Sequence, residues 1–284
     1  VLRDGQIALQ GEVDSLQPDE IIAAMTGNSL SRIGASDAER AIRDEVSLSF
    51  AEAASEPVFS AFTLDVHAGE VVALYGKVGS GASEVLNVVF GRRRLTGGSV
   101  TIDDSAGAPA DPRAAIRMGV GYVPADRQRE GGLMSRPVRE NLCAPSWPVL
   151  ARRGFLSHRT ESRLLGKWRD ALNIRMSRAE STPLMNLSGG NQQKVILARW
   201  FECGSRILCL DEPTRGVDVH ARADIYSVIE SRARNGCAIV LVTSDTDEAV
   251  RLADRVVVFV RGRAAAVLSG KEISAERLTA VVSR

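Results

Sequence analysis

The sequence predicts an α/β fold with an antiparallel β portion near its start and an α-helical insertion. Three observations predict it. Short apolar runs such as "VVALY", "RILCL", "AIVLVT" and "RVVVFV" read as buried strands, the last three as parallel ones. Amphipathic stretches with helical spacing lie between them. The stretch from about 127 to 190 carries helical patterns and no strand patterns. Composition agrees with a globular protein: 284 residues, 44% hydrophobic, 25% charged, formal net charge +1. That balance implies no general attraction to nucleic acid or anionic lipid. The run Arg92-Arg93-Arg94 reads as a solvated turn.

Taken in order, the chain opens on a segment that resembles its own end. "LRDGQIAL" and "PDEIIAAM" in residues 1–25 follow the plan of "FVRGRAAAV" and "AERLTAVV" in 259–282: strand, glycine turn, strand, short amphipathic helix. Residues 1–25 are therefore expected to be the tail of a preceding copy of the main domain, and Val1 a cut inside a longer protein. Residues 26–44 are polar and Gly/Ser-bearing, as a linker would be. The main domain is expected over 45–284. "VSLSF", "AFTLDVH" and "VVALYG" read as strands, and "ASEVLNVVFG" as a helix with Leu86, Val89 and Phe90 on one face and Gly91 as its stop. Within the insertion "ESRLLGKWRDALNI" sets Leu164, Trp168 and Leu172 at helical spacing. A later helix carries Ala221, Ile225, Val228 and Ile229 and ends at Gly236. Cys143, Cys203, Cys209 and Cys237 form no CxxC pair and fit free thiols in a reducing compartment. His67, His158 and His220 are too scattered for a histidine metal site.

The chemistry lies in three segments. "GKVGSGAS" runs from the strand "VVALY" into a helix, the context a phosphate-binding loop requires. It supplies Gly76, Lys77, Val78, Gly79, Ser80, Gly81 and Ser83, but Ala82 where the pattern GxxxxGK[ST] has lysine. "ILCLDEP" ends a strand in Asp211 and Glu212. Asp211 is placed to hold the water shell of Mg²⁺ together with Ser83, and Glu212 to orient or deprotonate a water. "LSGGNQQKVILARW" opens a helix at Ser188, Gly189 and Gly190, and free N–H groups at a helix start attract anions. A serine N-cap explains Ser188 alone. It leaves unexplained two glycines in the first turn, each costing roughly 1 kcal/mol relative to alanine; close approach of a phosphate accounts for them.

"LSGGNQQK" followed by "DEPTRGVD" resembles the ATP-binding-cassette (ABC) family of P-loop NTPases. "VGYVPADRQREGG" is similar to the second cassette of tandem ATPase subunits of ribose, xylose and galactose importers, and the likeness covers roughly 45–270. Several expectations follow from the resemblance. Two cassettes pack head to tail, with ATP between the loop of one and the signature Leu187, Ser188, Gly189, Gly190, Asn191 and Gln192 of the other. Asp218 falls in the D-loop and Ser244 at the switch position usually held by histidine. Ala125 stands where a glutamine is usual, so the chain's own site is eroded at Ala82, Ala125 and Ser244. The cofactors implied are ATP and Mg²⁺. The partners implied are an N-terminal cassette of the same protein, transmembrane permease subunits docking near "LMSRPVRENL" and, indirectly, a sugar-binding protein, at the cytoplasmic face of the membrane. DNA-maintenance members of the superfamily carry long coiled coils or zinc modules between loop and signature; the stretch from Gly81 to Leu187 has neither heptads nor cysteine pairs. A nucleoside importer and a pseudo-ATPase without nucleotide are the remaining alternatives.

Overall fold

The computed structural model describes residues 1–3, 6–12, 15–16, 20–21, 24, 42–103, 105–151, 154–177 and 181–283. At the start, β1 (Leu2–Arg3) pairs antiparallel with β2 (Gln6–Ile7). Most of the expected helix at 18–25 and of the linker at 26–44 lies outside the described residues.

The main domain begins with β3 (Val46–Ser55) and β4 (Phe59–His67), followed by β5 (Val71–Tyr75) and helix α1 (Ala82–Val89). Then come β6 (Gly97–Ile102), β7 (Ser105–Ala106), α2 (Pro112–Arg117) and β8 (Val120–Val123). The sequence reading assigned none of these four elements. α2 nevertheless had a local signal, since Asp111 caps it by accepting from the Ala114 amide and Pro112 opens it. A π-turn, Arg127–Gly131, leads into the insertion, built of α3 (Val138–Cys143), α4 (Trp147–Leu150) and α5 (His158–Ala171). The chain returns through α6 (Gly189–Glu202), β9 (Ile207–Asp211), α7 (Val219–Arg234), β10 (Ala238–Thr243), α8 (Thr246–Leu252), β11 (Arg255–Val260), β12 (Arg263–Ser269) and α9 (Ala275–Val282).

Among the described residues the core sheet has the order β12-β11-β5-β10-β9-β8, parallel throughout except at β12. A second, antiparallel sheet has the order β4-β3-β6-β7. Every residue of β5, β9 and β10 is buried, which is why these strands read as unbroken apolar runs. Phe62 joins the two sheets, its ring 5.1 Å from Phe50, 5.9 Å from Phe59 and 5.5 Å from Phe259. α1 presses Leu86 and Val89 fully into the main core, each contributing about 1.5–3 kcal/mol.

The insertion has its own apolar core, including Val138, Leu142, Leu164 and Leu184. Helix α6 is the wall between the two cores. Val195 and Ala198 face the insertion, while Ile196, Leu197, Trp200 and Phe201 face the main core. The start of α6 is thus fixed by packing on both sides.

Candidate functional site

Parallel register brings the expected residues together at the C-terminal edge of the core sheet. Thr243 lies beside Tyr75 and Val242 beside Asp211, so the ends of β5, β10 and β9 adjoin. The glycine loop, Ser244 and the Asp211-Glu212 pair leave from those three ends, where open α/β sheets bind ligands.

The loop conformation requires its glycines. Gly79 and Gly81 have φ of +83° and +97°, and a Cβ on Gly76 would lie 2.6 Å from the Phe259 carbonyl oxygen. Lys77 and Val78 are exposed, and Ser80 is buried with its amide bonded to the Lys77 carbonyl (2.9 Å). Ala82 opens α1, buried and without charge. The first amides of a helix have no intrahelical partner, and at α1 no side-chain cap takes their place.

Ser83 and Asp211, far apart in sequence, meet directly: the Ser83 hydroxyl donates to Asp211 Oδ1 at 2.9 Å. Burial pushes the Asp211 carboxyl up to about 6; Glu212 and Glu84 add to the rise, while the Ser83 and Tyr122 hydroxyls oppose it. Asp211 opens onto a cavity of about 400 Å³ lined also by Asn87, Arg92, Tyr122, Ala125 and Arg215. A hydroxyl and a carboxylate, both hard oxygen donors with room beside them for water, fit Mg²⁺. The Tyr122 hydroxyl, 3.5 Å from Asp211 Oδ2, was not anticipated from the sequence, although its place near the end of an apolar strand was a usable signal.

Glu212 holds a left-handed backbone (φ +46°), rare for a non-glycine residue and a place where strain is stored. Its Oε1 accepts from the Ser244 amide at 2.8 Å. Position 244 therefore touches Glu212 through the backbone, while the Ser244 side chain is exposed. Behind the pair, Thr214 donates to the buried Glu248 (2.7 Å), tying the turn after β9 to α8.

At the signature, Ser188 is exposed and does not cap α6; its hydroxyl accepts from the Asn191 side-chain amide at 2.8 Å. Asn191 also accepts from the Arg175 amide (2.7 Å). Leu187 and Gln192 are buried, Gln192 donating to the Leu187 carbonyl at 3.0 Å, so these two serve packing. A Cβ on Gly190 would lie 2.3 Å from Ala221 Cβ, and one on Gly189 would lie 2.5 Å from Arg127 Nη2. The chain's own packing therefore demands a glycine at 190 and at 189 leaves room for the Arg127 guanidinium, a reason that stands beside the close approach of a phosphate read from the sequence. Asp218 caps α7 through the Ala221 amide (2.9 Å).

A glycine loop between a parallel strand and a helix, faced by an acidic strand tip and flanked by a helical insertion, defines a P-loop NTPase fold of the ATP-binding-cassette type. An ATP-binding cassette of an ABC transporter has the same fold, with TM-score 0.71 and 20% identity over 84% of this chain and 99% of the other. A sequence model of the ABC transporter family matches residues 59–215, more than half of the chain, and the chain belongs to that family. The ribose import ATP-binding protein RbsA of Chromobacterium violaceum is 37% identical over the whole chain, and that of Geobacillus kaustophilus 35% identical over 98% of it. The chain spans about half the length of these relatives, 56% in both cases. Among the described residues no helix is long and apolar enough to cross a membrane.

Proposed function

We propose that the chain is the C-terminal cassette (45–284) of a tandem ATPase subunit in an ABC importer for a monosaccharide, preceded by the tail of a first cassette and a linker. In this reading its own nucleotide site is worn, and its signature completes the site of the N-terminal cassette. Permease subunits and, through them, a sugar-binding protein are the further partners, with the subunit peripheral at the cytoplasmic face of the membrane. Relatives that import ribose and align along essentially the whole chain support the substrate class.

The observation that carries the unequal-site reading is the start of α1. Ser83 and Asp211 remain paired while Ala82 brings no cation. In the chain's own site the loop amides would receive phosphates, and Ser83 with Asp211 would hold Mg²⁺, the latter through water. When bound, that ion supplies neutralisation of phosphate charge. Glu212 is held by the Ser244 amide, and positions 82, 125 and 244 carry alanine, alanine and serine where the family usually has lysine, glutamine and histidine. The lost lysine contact alone weakens binding by roughly 1.5–3 kcal/mol. In the partner's site, exposed Ser188 and the amides of Gly189 and Gly190 would face the γ-phosphate. Exposed Arg136, on the segment after the π-turn, belongs to the expected permease-docking face.

Titration of the chain with labelled ATP, with and without Mg²⁺, tests the reading. Weak, Mg²⁺-dependent binding with hydrolysis near background is expected. Fast phosphate release abolished by Glu212→Gln overturns it. Absence of binding at millimolar ATP supports instead a purely structural pseudo-ATPase, the reading favoured by Ala82, Ala125 and Ser244.

A further inference from the structure

We infer that Arg127 is a positioning residue for the composite ATP site: its guanidinium fastens the turn leading to Asp218 against the start of the signature helix, and so sets the spacing of the two elements offered to a partner cassette. This rests on the reading that Ser188–Gly190 and the D-loop face the partner's nucleotide.

Arg127 opens the π-turn after β8. Its Nη1 donates to the Arg215 carbonyl at 2.8 Å and its Nη2 to the Gly216 carbonyl at 3.0 Å. The two acceptors are successive carbonyls, and the planar fork of a guanidinium reaches both at once, as an ammonium does not. The same Nη2 passes directly over Gly189, 2.5 Å from where a Cβ would sit, and the Gly216 carbonyl oxygen is 3.2 Å from that point. A methyl at 189 would therefore press on the guanidinium and shift it from its two carbonyls. Among the described residues Nε is buried without a partner, and the two Nη bonds orient the group.

The other end of the π-turn is held by a second arginine. Arg199, half-buried on α6, donates to the Gly131 carbonyl (2.7 Å), the Asn141 carbonyl (2.8 Å) and Asn141 Oδ1 (3.2 Å). Residues 127–131 are thus anchored to α6 at one end and to the D-loop turn at the other. A displacement of the segment that follows, at 133–141, is passed to the D-loop through Arg127. Arg215 and Gly216 are exposed, so their carbonyls accept from water when Arg127 is removed. The loss then falls on the position of the turn and not on the stability of the fold.

The test uses the full-length protein assembled with its permease, with ATPase turnover as the readout. Arg127→Gln and Arg127→Lys should each lower kcat at least tenfold, with KM for ATP changed less than twofold and the melting temperature unchanged. Gly189→Ala should lower kcat by a similar factor because its methyl meets the guanidinium. The double variant should be no slower than the slower single one, since both act on one contact. Unchanged kcat in the Arg127 variants, full rescue by lysine, a fall in melting temperature that accounts for the loss, or multiplicative effects in the double variant would each overturn the inference. Ser188→Arg serves as the control for the underlying reading. If it leaves turnover intact, the composite-site reading has failed; if it abolishes turnover while Arg127→Gln is neutral, only the role of Arg127 has failed.

Discussion

Two glycine-bearing helix starts carry the candidate chemistry, and they owe their glycines to different forces. At α1 the backbone itself demands them: Gly79 and Gly81 sit at positive φ, and Gly76 is pressed by the Phe259 carbonyl. At α6 the demand is tertiary, because Ala221 and Arg127 occupy the space where side chains at 190 and 189 would go. The loop at α1 has kept its shape and its Ser83–Asp211 pair while lacking the cation that usually does the electrostatic part. The start of α6 is shaped by two cores and needs no ligand to hold its form. A glycine pattern therefore reports a backbone path, and the charged residue beside it reports the chemistry.

The largest expected effect separates the two starts in the full-length transporter. Ser188→Arg should abolish transport, because in the proposed head-to-tail arrangement the exposed Ser188 position would receive a bulky cation where the partner site's γ-phosphate would approach. Donors acting on charge developing in a transition state are worth orders of magnitude in rate. Glu212→Gln, beside a site already lacking its lysine, should be tolerated comparatively well. Transport normalised for assembly measures both, and equal loss in the two variants would end the assignment of one live and one idle site.

Glu248 gives a smaller effect, on stability. Burial pushes its carboxyl up to about 7 from an ordinary 4.5; the charges of Asp245 and Glu212 add to this, and bonds from Thr243 and Thr214 oppose it. The folded chain thus holds this proton more tightly than the unfolded one. The contribution is complete below about 4.5 and is lost as pH rises toward 7, on the order of 3 kcal/mol across the window. Denaturant melts between pH 5 and 8 should show that fall, and Glu248→Gln, which keeps an acceptor for Thr214, should flatten it. An identical slope in both proteins would locate the pH dependence elsewhere.

Restoring the missing cation sharpens the contrast at α1. Ala82→Lys should tighten ATP binding to the isolated chain by about 1.5–3 kcal/mol, roughly 10- to 150-fold, because the loop that surrounds position 82 is already formed. Calorimetry or fluorescence titration reads the change. No gain would mean that the loop geometry, and not the charge, limits binding.

Much of this was legible in the sequence because it is local. The strand–loop–helix around 71–89, the buried runs at 207–211, 238–243 and 255–260, and the acidic strand tip all follow from patterns within a few residues. β6, β7 and β8 escaped because they are short or begin with glycines, as "GGSVTI" does; β6 and β8 pair with the distant β3 and β9, and the two-residue β7 pairs only with β6. Arg127 escaped for the same reason: its partners, Arg215 and Gly216, lie far along the chain and are backbone carbonyls, which no side-chain pattern announces. Gly190 stands out in the sequence, but nothing local reveals that Ala221 presses on it.

The smallest prediction concerns that pressure. Gly190→Ala would place a methyl 2.3 Å from Ala221 Cβ, both on helices held by the main core, so neither backbone yields freely. Overpacking of this kind costs typically 1–3 kcal/mol, more than the helix-propensity gain of roughly 1 kcal/mol from replacing glycine. A 2.3 Å contact belongs in the upper part of that range, about 2–3 kcal/mol, so the net destabilisation expected is about 1–2 kcal/mol, measured by denaturant midpoint without nucleotide. Ala221→Gly should recover most of the packing loss in the double variant, since it removes the colliding methyl. If Gly190 were kept only for phosphate, Gly190→Ala alone would stabilise the nucleotide-free chain through helix propensity, and Ala221→Gly would add its own cost. The sign of the Gly190→Ala effect without nucleotide thus decides between a glycine set by the chain's own helices and one set by its ligand.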